Sequence, residues 1–587
     1  MQPSDHAWLD DVLDCYFARR PVDATFIGRH DHDHRLPDLS EHAIGDALAT
    51  MQRLASRIPP VDGLSVVDRV DHRLAAGSLR IEIAELESGH VTVTNPAFYT
   101  GEAIFGVMSL FLREHASLGF RLEAATSRLA AVPILLAQGM NNVRTAPPEW
   151  TTRALHECTG GLAFFRDGVD ALIAAARSNP EQRVNASALA AFRVAADTAA
   201  AATAAFGSYL ETNVRHRPRD DVAAGAESLA LYLREGHALA ETAEEIRWRA
   251  TRAMQDAGRS LQKNLEREGL RTPQELDERL SSLHPSADRF LVRFQQSWNA
   301  LRGVAIENDL VGWPAVPVRY VAQPVWARAA APHLYFLPYR SPSAYDPPAE
   351  HLSFVPPIEA HWPEDRRDGI LRAVNDAVIR LNHVIHHGGL GHHVQNAYAR
   401  ESTSRIGRIA AVDGASRIAF FCGGTMAEGW ACYATDLMAE AGALSQLERL
   451  SELRSRIRMC ARAVVDISLH LGDFSIAEAA VFYEQQAAMP TLAAHMEAVR
   501  NSMFPGAALM YFVGRDAIHE LRSDVASALG DRFRPRTFHD TLLGWGSVPV
   551  AVIADAMRTV VRETDALQKE SLHAATTPQA DGRTPGI

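Results

Sequence analysis

Five cysteines serve 587 residues, and Cys15, Cys158, Cys422, Cys432 and Cys460 stand far apart with no C-x-x-C pair among them. That spacing excludes a disulfide framework and a cysteine-built zinc site, and it fits a reducing compartment. Long apolar runs are also missing: the alanine-rich stretch 195–206 is broken by Asp197 and Thr198. It falls short of the roughly 18 apolar residues that mark a membrane span. The opening Met-Gln-Pro-Ser-Asp-His lacks the basic-then-apolar layout of a signal peptide, so a cytoplasmic protein is expected. Positive charge is in deficit, 59 basic against 71 acidic residues for a net −12, which argues against nucleic acid or an anionic membrane as partner. With 22% charged and 47% apolar residues the chain has the composition of a folded globular protein.

From about residue 40 to 310 apolar residues return every three or four positions among Ala, Leu, Arg and Glu, the period of packed helices. Residues 314–357 then hold ten of the thirty prolines, with Val-Arg-Tyr-Val at 318–321 and His-Leu-Tyr-Phe-Leu at 333–337, so short strands are expected there. Trp362-Pro-Glu-Asp365 opens a helix whose period runs through Ile370, Leu371, Val374, Val378, Leu381 and Ile385 to Gly388-Gly389. Further helices are predicted at about 425–441, 446–471, 476–486, 506–524 and 549–568. The fold expected is mainly α with a small inserted β element. Its parts are a helical lid (1–310), a Pro-rich strand segment (311–360), a C-terminal helical region carrying the candidate site (361–568) and a disordered polar tail (569–587).

Histidine is abundant, and five of the 25 crowd into His383-Val-Ile-His386-His387-Gly-Gly-Leu-Gly-His392-His393. On a helix His383 and His387 lie one turn apart with His386 beside them, and the glycines let the backbone return His392 or His393 toward the same point. Such a turn can close a metal site. In Gly423-Gly-Thr-Met-Ala-Glu428-Gly-Trp-Ala-Cys-Tyr433 an acid stands in an apolar helix, where its charge needs a cation or a metal opposite it. An arginine is the alternative partner.

His386-His-Gly-Gly-Leu-Gly-His392-His-Val-Gln395 resembles the pattern H-E-x-x-P-G-H-H-x-Q, and Met426-Ala-Glu428-Gly-Trp-Ala-Cys-Tyr433 resembles E-G-W-A-x-Y, both of the domain-of-unknown-function 885 family. Supporting matches run from Phe26-Ile-Gly-Arg-His30 to Gly546-Ser-Val-Pro549. The resemblance implies a zinc metallopeptidase of the gluzincin type, with His386, His392 and Glu428 as ligands and His393 as an additional candidate. It also implies that Tyr511 and His539 stabilise a developing oxyanion. One departure matters: His387 stands where the pattern has the glutamate that acts as general base, and Leu390 where it has proline. Three outcomes follow, in this order: His387 is the base of an altered hydrolase acting on a peptide or small amide, His387 is a fourth ligand in a lyase or redox site, or the chain is an inactive, peptidase-like binding protein.

Arg454, Arg458, Arg462, Asp466 and His470 follow at steps of four, a polar stripe along one helix. Structural Arg–Asp pairing is the first reading, and a clamp on a substrate carboxylate by Arg458 or Arg462 the second. His30-Asp-His32-Asp-His34 reads as a solvated turn beside Arg29 and Arg35. Cys422 and Cys432 read as small buried residues without a role.

Overall fold

The apolar period of three to four residues is realised as packed helices, and the computed structural model is mainly α. It describes residues 7–179, 184–334, 344–409 and 424–558. One contiguous apolar core draws on side chains from Trp8 to Met557. The alanine-rich helix α1 (Ala186–Tyr209) buries Leu189, Phe192, Ala196, Ala199 and Phe206 and packs along Leu118–Asn142. With its continuation to Val214 it is long and apolar enough to cross a membrane by length and composition, and here it is packed along a neighbouring helix of the N-terminal half.

Caps fix where the long helices begin. Thr242 and Glu245 form a reciprocal capping box at the start of α2 (Ala243–Arg267). The helix α3 (Phe290–Glu307) leads to strand β1 (Val318–Ala322), which pairs in parallel with β2 (His351–Val355), Val318 opposite His351 and Ala322 opposite Val355. The second strand therefore lies after the position expected for it. Residues 333–334 form the end of a 3₁₀ turn and an extended step, and 335–343 fall outside the described residues.

The helix expected to run unbroken from 364 to 388 is two. Glu364–Ala373 ends at Val374, and Asn375 accepts hydrogen bonds from the Ala377 and Val378 N–H groups to cap a new helix, α4. After one α turn (Asp376–Val378), α4 continues in the wider π winding over Ile379–Gly388. α5 (His392–Glu401) follows, then α6 (Gly424–Glu440) and α7 (Gln446–Leu471), the last opened by a Ser445/Glu448 capping box and closed by Gly472 in the left-handed conformation. Thr491–Met503, here α8, was not anticipated; α9 (Met510–Leu529) starts four residues later than expected. α2 lies along α7, α3 against α4, and α6 along α9. The tail from 559 lies outside the described residues.

The His30–His34 stretch is not a solvated turn. Asp33 is fully buried, accepts a hydrogen bond from Thr25, and receives His30 Nδ1 at 2.8 Å and His115 Nε2 at 3.2 Å. His30 Nε2 meets Asp346 at 3.1 Å. The His30 and His115 rings stack 3.8 Å apart and 4° from parallel. It is an ion-pair lock. Burial works against the His30 charge, but Asp33 and Asp346 outweigh it and raise its pKa from 6.5 to about 9. Stability from this lock is fully present below pH 6.5 and is lost as pH rises through 9. Thermal melts should show Tm falling across that window, with the fall flattened in His30→Asn; an unchanged slope would contradict the assignment.

Candidate metal centre

The π winding of α4 turns successive side chains through less than the 100° of an α-helix, so His386 and His387 project toward one side of it. The chain then reverses through Gly389-Leu390-Gly391. A side chain at Gly391 would collide with the His386 carbonyl, which is why this step needs glycine. Two indoles pin the turn: Trp298 Nε1 donates to the Gly388 carbonyl (2.7 Å) and Trp430 Nε1 to the Leu390 carbonyl (2.8 Å). His392 thereby starts α5 facing His386, ring centroids 4.8 Å apart and nearly perpendicular at 85°.

Glu428 comes from α6. Its neighbour Gly429 lets Gly514 of α9 approach backbone to backbone, and a side chain at either glycine would strike the other helix. Glu428 Oε2 lies 3.2 Å from His386 Nε2 and 3.4 Å from His392 Nε2. Only 4% of the Glu428 side chain is exposed, and Oε2 forms no hydrogen bond despite those two neighbours. A buried carboxylate oxygen so placed is aimed at a shared point rather than at either nitrogen. Ligands 2.0–2.1 Å from a tetrahedral zinc are about 3.3 Å from one another, which both carboxylate-to-nitrogen separations match. His386 retains 14% exposure, leaving one side of the group open to solvent.

Electrostatics agree. Burial pushes the Glu428 pKa up, yet His392 and His386 together hold it well below the usual carboxylate range. Burial lowers His386, partly offset by Glu428. Burial thus favours the neutral, lone-pair form of His386 that binds metals, facing an ionised carboxylate.

His387 belongs to the same cluster, its ring 4.7 Å from that of His386 and 5.4 Å from that of His392. Ligand nitrogens of His386, His387 and His392 all lie within 4.8 Å of one another. Its Nδ1–H donates to the Asn382 carbonyl at 2.8 Å, which sets the ring's tautomer. Burial and the neighbouring imidazoles drive its pKa well below 6.5, so it is neutral at physiological pH. The orienting carbonyl of Asn382 was missed from sequence; a backbone acceptor leaves no side-chain signal. Trp430 had one, its place in the motif, but its partner could only be seen in the fold.

Tyr511, at the start of α9, packs with Ala427 and Cys432 on either side of Glu428. Its ring lies under the Arg462 guanidinium, 4.6 Å from the centroid, and Arg462 donates to Glu497 at 2.8 Å. Asp466 and His470 are structural: Asp466 accepts the Gly506 and Leu509 N–H groups (3.0 and 2.9 Å), and His470 donates to the Asn501 carbonyl (3.0 Å), fixing the turn that launches α9. Burial raises the Cys432 thiol well above 9, leaving it unreactive; Cys422 lies outside the described residues.

Two expected residues stand apart. His393 turns away, its Nε2 donating to the Val316 carbonyl (3.0 Å) and its ring facing His351, because it follows His392 by one step on α5. His539 is fully buried; its Nδ1–H donates to the Leu310 carbonyl (2.7 Å) and its Nε2 accepts from Tyr433 (2.9 Å). With both nitrogens engaged it has no donor left for a substrate oxyanion.

The fold and cluster define a large, mainly α protein that gathers two histidines and one glutamate from two motifs across a glycine turn. The chain belongs to the family described as "Bacterial protein of unknown function (DUF885)", which it matches over residues 21–557. No curated protein matches it. Among solved structures it is similar to one described as "a putative lipoprotein of unknown function from Shewanella oneidensis", with 20% identity, TM-score 0.72, and 95% of this chain and 100% of that one covered. Another is described as "the putative lipoprotein from Colwellia psychrerythraea", with 16% identity, TM-score 0.75, and 95% and 99% covered. These likenesses bear on the fold.

Calorimetric titration with zinc should show one site on the wild type and a rise in Tm on loading. Glu428→Ala should weaken binding by more than about 100-fold and abolish the rise, while His393→Asn and His539→Asn keep the stoichiometry. Unchanged affinity in Glu428→Ala would remove Glu428 from the ligand set.

Proposed function

We propose that the chain is a zinc-dependent hydrolase acting on a peptide or small amide-type substrate. The convergence of His386 Nε2, His392 Nε2 and the hydrogen-bond-free Glu428 Oε2 carries this reading. A divalent ion held by these three residues supplies Lewis-acid activation of the carbonyl and of water. His387 takes the part of proton acceptor: its Nδ1–H is committed to Asn382, so Nε2 receives the proton from the attacking water and returns it to the leaving amine. Tyr511, which packs with Ala427 and Cys432 on either side of Glu428, takes the part of donor to a developing oxyanion.

A second reading has its own observation. The nitrogens of His386, His387 and His392 all lie within 4.8 Å, so His387 is within reach as a fourth ligand, which would fill the open position and favour non-hydrolytic chemistry. The acidic balance supports a small-molecule or peptide substrate over nucleic acid. As to compartment, the two solved structures named above are described as putative lipoproteins, which supports an envelope location, whereas the sparse, unpaired cysteines support the cytoplasm.

His387→Ala separates the two. As base, its loss lowers kcat on a cleavable peptide by about 10²–10⁴-fold with zinc affinity retained; as ligand, its loss weakens zinc binding. An unchanged rate with unchanged affinity would contradict both.

A further inference from the structure

The stripe along α7 is unevenly paired. Arg454 forms an ion pair with Asp277, and Arg462 pairs with Glu497 while stacking on Tyr511. Arg458, between them, has neither an ion pair nor a hydrogen bond among the described residues, and its Nε is sealed from solvent. Burial first, and the Arg462 charge second, press its pKa below the usual arginine value. Glu497 and Asp277 offset this from a distance but make no ion pair with it, so the half-buried guanidinium is left to be completed by an anion from outside the chain.

Arg458 shares its helix face with Arg462, and Arg462 leads to the metal cluster. Arg462 touches Tyr511, which packs against the turn carrying Glu428, and its charge is felt by His386. Arg458 stands one turn further along α7, about 5.4 Å away along the axis, comparable to the reach of one or two extended residues at about 3.3–3.6 Å each. Its planar fork suits a carboxylate.

We propose that Arg458 binds a free carboxylate of the substrate, so that the substrate class is a short peptide or acylated amino acid ending in an acid close to the cleaved bond. This rests on the hydrolase reading, and its test is built to fail separately.

The zinc-loaded full chain is assayed on a set of alanyl dipeptides and on their carboxamides. The wild type should prefer the acids by at least about 30-fold in kcat/KM, Arg458→Gln should collapse that ratio toward one, and Arg458→Lys should keep part of it. Equal turnover of acid and carboxamide by the wild type, or a preference that survives Arg458→Gln, overturns the assignment. If neither set is cleaved, the hydrolase reading fails, and calorimetric binding of the same pairs decides the clamp by the same ratio; no binding of either also overturns it. Thermal melts give a second check. Arg458→Met should leave Tm unchanged or raise it, whereas Arg462→Met, which strands Glu497, should lower it; an equal drop in both would mark Arg458 as a structural residue and overturn the proposal.

Discussion

A carboxylate placed where neither water nor a hydrogen-bond donor satisfies it is the constraint around which the C-terminal half is organised. Removing Glu428 from water costs several kcal/mol unless positive charge faces it, and the nearest groups are two imidazoles at 3.2 and 3.4 Å. The surrounding sequence reads as the means of holding that arrangement. Gly429 and Gly514 bring α6 and α9 into backbone contact, Gly391 permits the reversal before α5, and Trp298 and Trp430 clamp the turn by its carbonyls. A weaker scaffold would let Glu428 swing to an arginine, of which the interior has several.

Elsewhere in this half buried acids find ordinary partners. Asp436 is met by Arg515, Arg456 and His519, and Glu497 by Arg462. Glu428 and Arg458 are the departures, opposite in sign and linked through Tyr511 and Arg462. Glu428 Oε2 has no hydrogen-bond partner and faces His386 and His392, while Arg458 has no ion pair among the described residues. His387 adds a neutral imidazole whose tautomer is set by Asn382.

Much of this was legible in the sequence. Helical periodicity pointed to the fold class, spacing placed His383, His386, His387 and His392 or His393 around a glycine turn, and the resemblance to the family pattern singled out His386, His392 and Glu428. What escaped was decided by tertiary partners. His539 and His393 look like their neighbours in the chain, but Leu310, Tyr433 and Val316 occupy their nitrogens. His30–His34 looked solvated because Asp346 and His115, which bury it, are far away in sequence. The Asn375 cap and the π winding of α4 carry no periodic signal, since the apolar spacing runs through both.

X-ray absorption at the zinc edge of the loaded protein addresses the shared point of the two imidazoles and the carboxylate most directly. The account predicts imidazole nitrogen and carboxylate oxygen scatterers at about 2.0–2.1 Å, at least two of them imidazole, with sulfur absent. A spectrum dominated by sulfur, or one with a single imidazole, would contradict it.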